Sequence, residues 1–334
     1  MSLTKLLVSG FFVPIDQIAA PNLIHLSLET MVSGSSRITV QSILNMLQWC
    51  PQLETILIYI FLDLSPVQES YTPVTLPKLH SIELGYAEIW SGLVIPLHFP
   101  PEVAAGFWGI CSIDGTWPYE SIQHVLATIN IKSVTLAHIQ HGQYREGNIY
   151  LICFEGPKGS LEIVFLEKHD RDPFGPDGLL LSHPPQLNNV KTLHIMDFSL
   201  HNSTLPAIAS AMHNLLSINF IGHSDYPRSL IPMGSSPVLF PHLKHISGPS
   251  LVRPLVETAR GRKEWGIALS SLDVYGNPKY GDRTKHLTDL RGIMENVKAW
   301  QHCDLPECWT SNTVLDIWKA AGYHRPVSAG SCQK

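Results

Sequence analysis

Apolar residues recur along this chain in one short pattern: an apolar residue, two others, a second apolar residue, one other, and a third apolar residue. The last two apolar residues of each copy are two positions apart, so they point to one face of a short strand. The clear copies are Leu23-Leu26-Leu28, Leu53-Ile56-Ile58, Leu79-Ile82-Leu84, Ile131-Val134-Leu136, Leu161-Val164-Leu166, Val190-Leu193-Ile195, Leu215-Ile218-Phe220 and Leu269-Leu272-Val274; the others are Leu3-Leu6-Val8, Phe107-Ile110-Ser112 and Leu243-Ile246-Gly248.

The spacing of these copies predicts the fold. They begin at residues 3, 23, 53, 79, 107, 131, 161, 190, 215, 243 and 269, and the mean step of about 27 residues is typical of leucine-rich repeats, whose stacked units share one core. We therefore predict an α/β fold, an irregular leucine-rich-repeat-like solenoid of about 11 repeats over residues 1–300. A curved parallel β-sheet lines its concave side, with helices and loops on the convex side. Residues 301–334 are expected to form a C-terminal cap or a loosely ordered tail.

Segments between the copies carry apolar residues at helical spacing. Shorter helices are predicted over 42–48, 121–129 and 207–215, and longer ones over 251–265 and 284–300. Pro51 follows the first segment, where a helix must stop. Helices alternating with strands keep neighbouring strands parallel.

The repeats depart from the ideal pattern. The asparagine that usually stacks in the turn after each strand is nearly absent, and only Asn277 stands at the expected place. Stretches rich in proline and glycine at 65–77, 170–185 and 226–241 are predicted to be exposed loops. We therefore expect loops of uneven length along the array.

Composition narrows the class of partner. Charged residues make up only 15% of the 334 residues, the net charge is −5 at pH 7, and lysine and arginine form no basic stripe. We predict no nucleic-acid partner for such a chain. The longest apolar run, 56–62, is too short to span a bilayer, so no membrane partner is predicted. Six irregularly spaced cysteines favour reduced thiols and a cytoplasmic or nuclear location over a disulfide scaffold.

Several segments resemble a known family. APNLIHLSLE, LNMLQWCPQLETI, LPKLHSIEL and LFPHLKHI resemble the repeat region of mushroom-type fungal F-box proteins, and 95–112 and 251–300 resemble later parts of that family. The resemblance covers about residues 3–300 and implies that the repeats select a protein substrate. In that family an N-terminal F-box recruits a ubiquitin-ligase adaptor. No F-box segment precedes the first copy here, so we expect a fragment or a homologue without ligase recruitment, and an adaptor as partner only if an F-box exists.

The predicted concave face is the expected site for a protein partner, because solenoids of this type bind along it. Its residues alternate with the core residues of each strand, and aromatic and methionine side chains beside polar ones are typical of interface cores. The alternative is that long loops cover these residues. The candidate partner-binding residues are Leu57, Tyr59, Phe165, Glu167, His194, Met196, Asn219, Ile221, Asp273 and Tyr275.

Metal sites are less well supported by the sequence. Cys303 and Cys308, with His302, form a C-x4-C cluster, but structural zinc needs four ligands and only Cys332 is nearby. The acidic loop 169–178 has proline and phenylalanine where calcium ligands belong. The 17 histidines are expected to act mainly as polar spacers, with a pH-responsive interface as the alternative. We predict no metal and no cofactor.

No enzyme signature was found. The motifs G-x-S-x-G, G-x-x-x-x-G-K-[ST] and G-x-G-x-x-G are absent, so we predict a protein that is not an enzyme. Two alternatives stay open. One is a hydrolase whose site is built from loop residues such as His169 and Asp170, because catalytic residues converge in space rather than in sequence. The other is a truncated or non-functional gene product.

Overall fold

A computed structural model of the chain describes residues 3–9, 15, 18–29, 38–59, 71–85, 90–110, 119–140, 148–157, 159–167, 187–196, 204–221, 230, 238–249, 252–275 and 283–300. These described residues form a mixed α/β fold with few helices and a large, mostly parallel sheet of 13 strands that is not closed into a barrel. By its contacts the chain divides into two compact units, residues 1–131 with 151–175 and residues 132–150 with 176–334.

The described strands and helices are short. The strands are β1 (Lys5–Ser9), β2 (His25–Glu29), β3 (Thr55–Tyr59), β4 (Val74–Thr75), β5 (Ser81–Gly85), β6 (Leu97–His98), β7 (Ala104–Ile110), β8 (Ser133–Gln140), β9 (Asn148–Glu155), β10 (Ser160–Glu167), β11 (Thr192–Met196), β12 (Ser217–Ile221), β13 (His245–Pro249), β14 (Ser271–Tyr275) and β15 (Val297–Trp300). The helices are α1 (Val40–Gln48), α2 (Trp90–Val94), α3 (Tyr119–Thr128), α4 (Thr204–Ala211), α5 (Val252–Glu264) and α6 (Arg283–Ile293).

In the first unit the strand order of the large sheet is β1-β2-β3-β5-β7-β10-β9. Strands β1, β2, β3, β5, β7 and β10 pair in parallel. The Gly156 N–H donates to the Gly159 carbonyl at 2.8 Å and closes a hairpin between β9 and β10, so these two neighbours run antiparallel. Strands β4 and β6 form a separate two-stranded parallel sheet.

In the second unit the strand order is β8-β11-β12-β13-β14-β15, and each neighbouring pair is parallel. The register aligns equivalent apolar residues from strand to strand: Leu193 lies opposite Val134 and Ile218, and Ile246 lies opposite Leu272. These five residues have exposed fractions of 0%. Aligned rows of buried side chains make one continuous core beneath the strands of this unit.

One arrangement of backbone hydrogen bonds recurs just before the first residue of several strands. The Thr4 carbonyl accepts from the N–H groups of both Ile24 (2.8 Å) and His25 (3.1 Å). The Ile24 carbonyl then accepts from Glu54 (2.9 Å) and Thr55 (3.1 Å) of the next strand. In the second unit the carbonyls of Lys132, Lys191, Leu216 and Lys244 each receive two N–H groups in the same way. Each repeat therefore satisfies the backbone of its neighbour at an equivalent point.

A tight turn precedes many of these strands. In it the N–H of a buried apolar residue donates to the carbonyl three residues earlier, as from Leu23 to Ala20 (2.9 Å) and from Leu243 to Phe240 (3.0 Å). Proline often follows the first residue of the turn, because its fixed φ suits that position. The turns of this form are 20–23, 50–53, 76–79, 100–103, 187–190, 212–215 and 240–243. The Pro-x-Leu spacing in the sequence thus marks a turn that anchors the first core residue of a repeat.

The predicted strands are confirmed, because each of the eleven apolar copies coincides with a strand of the large sheet. Helices are likewise present in each of the five predicted segments. The prediction was wrong at the end of the last segment: α6 ends at Ile293, and 297–300 is strand β15. Val297 there lies opposite Leu272 and Ala299 opposite Val274, which makes a further copy that begins at Met294. Residues 301–334 lie outside the described residues.

The register was also wrong in two copies. Phe107, taken as the first residue of its copy, lies opposite Leu84, which is the third residue of the preceding copy. Leu161, also taken as a first residue, lies opposite Ala105 and so occupies the second position. At β10 the physical reason is the tight hairpin from β9, which replaces the usual turn and needs no buried first residue.

A buried arginine holds one of the turns. Arg262 of α5 has an exposed fraction of 0% and donates from Nη1 to the Leu239 carbonyl (3.1 Å) and from Nη2 to the Phe240 carbonyl (2.8 Å). Phe240 has φ 51°, a left-handed conformation that costs a residue other than glycine about 1 kcal/mol or more. Burial lowers the pKa of Arg262 to about 10, so the guanidinium stays charged at neutral pH. This cation therefore stabilises a strained turn from the adjacent helix.

We predict that Ile58→Ala and Leu57→Ala differ sharply in stability, although the two residues are adjacent in β3. Ile58 is fully buried, so its truncation should lower the free energy of unfolding by about 2–4 kcal/mol. Leu57 lies on the opposite face and is only half-buried, so the cost should be about 1 kcal/mol or less. Urea unfolding of both variants measures the difference, and equal losses would contradict the alternation described for β3.

We also predict that Arg262→Met destabilises the chain by about 2 kcal/mol or more, because two charged hydrogen bonds to backbone carbonyls are lost. The matched control is Arg260→Met, since Arg260 is exposed on the same helix. That change should cost less than about 0.5 kcal/mol. If thermal unfolding shows the two variants to be equally stable, Arg262 does not stabilise the turn.

Candidate functional site

Residues that alternate with the core residues lie on the opposite face of the strands, which we call the outer face. In each strand one outer-face residue occupies the middle position. The register aligns these middle residues from β1 to β10 in the first unit and from β8 to β15 in the second. The middle positions are Leu7, Ser27, Leu57, Glu83, Gly106 and Glu162 in the first unit, and Thr135, His194, Asn219, Ser247, Asp273 and Lys298 in the second.

In the first unit this face combines apolar and acidic side chains. Leu7 is 59% exposed, and Leu57, Tyr59 and Glu83 are half-buried. The side chains stand on hydrogen-bonded strands, so their backbone positions are held by the sheet. A surface of this kind presents fixed contact points to another molecule.

Tyr59 is the most constrained side chain described on this face. Its hydroxyl donates to Oε2 of Glu83 at 3.4 Å. A Cβ placed on Gly85 would clash with Cδ1 of Tyr59, so the ring occupies space that only a glycine leaves open. Burial and the carboxylates of Glu83 and Glu29 raise the pKa of Tyr59 well above its usual value. The phenol therefore stays protonated and remains a hydrogen-bond donor at any physiological pH.

In the second unit a polar chain crosses three strands. Ser247 Oγ donates to Asn219 Oδ1 at 2.6 Å, and Asn219 Nδ2 donates to His194 Nδ1 at 3.0 Å. His194 is 8% exposed and Ser247 is 1% exposed. Burial lowers the pKa of His194 to about 4, so its ring is neutral at pH 7 and can accept the bond from Asn219. This chain satisfies polar groups that burial would otherwise leave unpaired.

A second polar group lies two residues earlier along the neighbouring strands. His245 Nδ1 lies 2.8 Å from Ser271 Oγ. Burial lowers the pKa of His245, and Lys298 acts in the same direction, while Asp273 opposes them. A hydroxyl beside an imidazole is part of a nucleophilic site, but such a site also needs a third group that orients the ring. Among the described residues no hydrogen bond joins Asp273 to His245, so Asp273 is not placed to orient the ring.

The structure describes the side chains of some candidate residues from the sequence and only the strand positions of the others. Leu57, Tyr59, Asn219 and Asp273 have half-buried side chains on the outer face, and His194 is buried. The structure joins Asn219 to His194 by a hydrogen bond. The structure describes only the strand positions of the other five candidates, Phe165, Glu167, Met196, Ile221 and Tyr275.

The register of β10 bears on two of these candidates. Phe165 lies opposite Gly109 and two residues after the buried Ile163. Phe165 and Glu167 were assigned to the outer face because they alternate with Val164 and Leu166 of the Leu161-Val164-Leu166 copy. The register of that copy was wrong. Phe165 and Glu167 are an even number of residues from Leu161 and Ile163 along β10. By backbone position they therefore share the face of these two buried residues. A role of these two residues in partner binding stays a prediction.

Sequence reasoning missed several residues that shape this face. Glu29 and Glu83 surround Tyr59, Gly85 makes room for its ring, and Ser247 completes the polar chain. A signal for Glu29 and Glu83 was present, since each alternates with core leucines within its copy. No local signal marks Gly85 or Ser247, because their importance depends on side chains from neighbouring strands.

Other predicted sites lie outside the described residues: the cysteines Cys303, Cys308 and Cys332, and the loop with His169 and Asp170. In the described part of the chain, no group of three or more His, Cys, Asp or Glu side chains is arranged to hold a metal ion. Cys50 and Cys153 are buried, and neither forms a disulfide within the described part of the chain. Among the described helices, none combines the length and apolar character needed to cross a membrane.

Comparisons of the chain with protein-family models, with curated proteins and with solved structures found no match.

We predict that His194 makes stability depend on pH. Its folded-state pKa of about 4 lies below the ordinary value of 6.5, so the unfolded chain binds the proton more tightly than the folded chain. The stabilisation is complete above pH 6.5 and is lost as pH falls towards 4. At about pH 5 the loss should reach about 2 kcal/mol.

The measurement is urea unfolding at several pH values between 7 and 5 for the parent and for His194→Gln. The variant should lose about 2 kcal/mol less over this range than the parent does. The control is His242→Gln, because His242 is exposed on a turn and should leave the pH dependence as in the parent. An unchanged pH dependence in His194→Gln would show that His194 is not buried as a neutral ring.

Proposed function

We propose that the chain is a protein-binding module, built as an irregular leucine-rich-repeat solenoid, whose outer face is the concave face that holds the partner. The observation that carries this proposal is the set of half-exposed side chains at fixed, repeated positions of a parallel sheet: Leu57, Tyr59, Asn219 and Asp273. Parallel sheets usually have both faces covered. A face with accessible apolar, aromatic and polar side chains is suited to covering by another protein.

Two further features support the solenoid form. Strands of successive repeats accept equivalent backbone hydrogen bonds, as at the Ile24 and Glu54 carbonyls in the first unit. The turns before the strands share one backbone hydrogen bond across three residues, which ends on a buried apolar residue, and often have a proline in second place. Repeats that contact mainly their neighbours are the hallmark of solenoid proteins.

A more specific form of the proposal is substrate recognition for an F-box-like ubiquitin-ligase subunit. It is supported by the resemblance of the repeat segments to those of mushroom-type fungal F-box proteins. The resemblance includes Pro21, Pro51, Pro77 and Pro241 of the tight turns. In this form the repeats hold the substrate, and an adaptor would bind through an F-box.

The test is affinity capture from an extract of the source cells, with the full chain as bait and mass spectrometry as readout. Leu57→Arg and Asp273→Arg place a cation on the outer face of each unit. Trp49→Arg is the matched control, because Trp49 is 61% exposed at the end of α1, away from the outer face. Thermal unfolding of each variant establishes that it is folded before capture.

We expect a partner that the parent and Trp49→Arg retain and that at least one outer-face variant recovers about ten-fold less, as for a central contact of an interface. A ubiquitin-ligase adaptor among the retained proteins would support the more specific form. A partner that is lost from Trp49→Arg but kept by both outer-face variants would place binding elsewhere. An empty capture by the parent would count against a stable protein partner.

A further inference from the structure

The outer face of the first unit has an uneven distribution of charge around Tyr59. Glu29 lies opposite Tyr59 in the register, and Glu83 accepts the hydrogen bond from its hydroxyl. Among the described residues, no lysine, arginine or histidine pairs with either carboxylate. The Tyr59 phenol experiences both negative charges. A partner on this face therefore meets two carboxylates that no described cation of the chain neutralises.

Apolar surface lies directly beside these carboxylates. Leu57 occupies the same strand as Tyr59, and Leu7 is 59% exposed at the middle position of β1. The Tyr59 ring cannot turn freely, because it is held over Gly85 and bonded to Glu83. The face thus offers an aromatic ring and a leucine with a carboxylate on the strand at either side.

We propose that this face binds an arginine of a partner protein, with the guanidinium between Glu29 and Glu83 and its stem along Tyr59 and Leu57. Charge complementarity selects this occupant: a guanidinium bonds to carboxylates with a planar fork and also stacks on aromatic rings. An apolar residue beside the arginine would cover the accessible surface of Leu57 and Leu7. The inference rests on the proposed function and specifies the chemistry of the partner segment.

Strand spacing is consistent with this arrangement. Glu29 and Glu83 stand on β2 and β5, with β3 between them. Neighbouring strands are about 4.8 Å apart, so the two carboxylate-bearing backbones are separated by about 10 Å. Glu83 bonds the Tyr59 hydroxyl, and Glu29, which accepts a hydrogen bond from Ser27 Oγ at 3.0 Å, stands opposite Tyr59 on the other neighbouring strand. A separation of this size accommodates one planar cation between the two carboxylates. A second cation would meet no further carboxylate on the outer positions described for β2, β3 and β5.

The test is selection from a random dodecapeptide library displayed on phage, with the full-length chain immobilised as target and sequencing as readout. We expect the parent to select peptides in which arginine is enriched about three-fold or more over the unselected library, next to an apolar residue. Glu29→Gln with Glu83→Gln should abolish that enrichment. The matched control is Glu264→Gln with Glu295→Gln, which changes the net charge equally at two exposed positions of the second unit and should retain it.

A further variant tests the contribution of the Tyr59 ring separately from that of the two carboxylates. Gly85→Ala adds a methyl group where Tyr59 lies and so displaces the ring, while every charge is kept. We expect arginine enrichment to fall at least about two-fold in this variant. Full enrichment in Gly85→Ala would show that Tyr59 takes no part.

The outcomes distinguish this inference from the proposed function. Peptides without arginine enrichment, or enrichment that survives in the double glutamine variant, would overturn the inference. The protein-binding proposal would stand in that case if Leu57→Arg still abolished selection, and it would fall as well if Leu57→Arg left the selected peptides unchanged. A parent that enriches no peptide over the blank support would also overturn the inference, because the site described is already formed in the free chain.

Discussion

Each unit depends on one constraint: the residues just before one strand form backbone hydrogen bonds with the residues just before the next strand. A carbonyl just before a strand, such as that of Ile24, receives two N–H groups from the following repeat. Loss of these donors would leave a backbone carbonyl unpaired, at a cost of about 1–3 kcal/mol where it is buried, so neighbouring strands stabilise one another. The same stacking aligns the core residues in rows. Hydrogen bonding and apolar burial therefore specify the same register, and a slip by one residue would expose the core side chains of a strand.

The turns explain why the repeats tolerate loops of different length. A turn such as 50–53 is closed by its own backbone hydrogen bond and anchored by buried residues at both ends. The path of the chain before the turn then matters little to the strand that follows. Turn 240–243 is the exception, since its first residue is strained and a buried arginine from α5 supports it. Stability at that point depends on a helix that follows in sequence.

The two units use their outer faces differently. In the first unit, accessible leucines and Tyr59 lie among carboxylates that have no cationic partner in the described residues. In the second unit, His194, Asn219 and Ser247 satisfy one another through hydrogen bonds, and two of the three are buried. Accessible leucines and carboxylates without a described cationic partner gain more from being covered than neutral polar groups that are already buried and paired. The outer face of the first unit is therefore where we propose the main contact with a partner.

The sequence by itself determined where most of the strands lie and which residues of most of these strands enter the core. Both follow from local alternation of apolar and polar residues, which has a period of two in any strand. Pro-x-Leu sequences coincide with turns whose hydrogen bonds span only three residues, a local feature from which no turn had been predicted. Only the tertiary structure decided the register of β7 and β10, the extra strands β9 and β15, and the fit of Tyr59 over Gly85. Each of these depends on which residue of one strand lies opposite which residue of another, and that pairing is set by contacts far apart in the sequence.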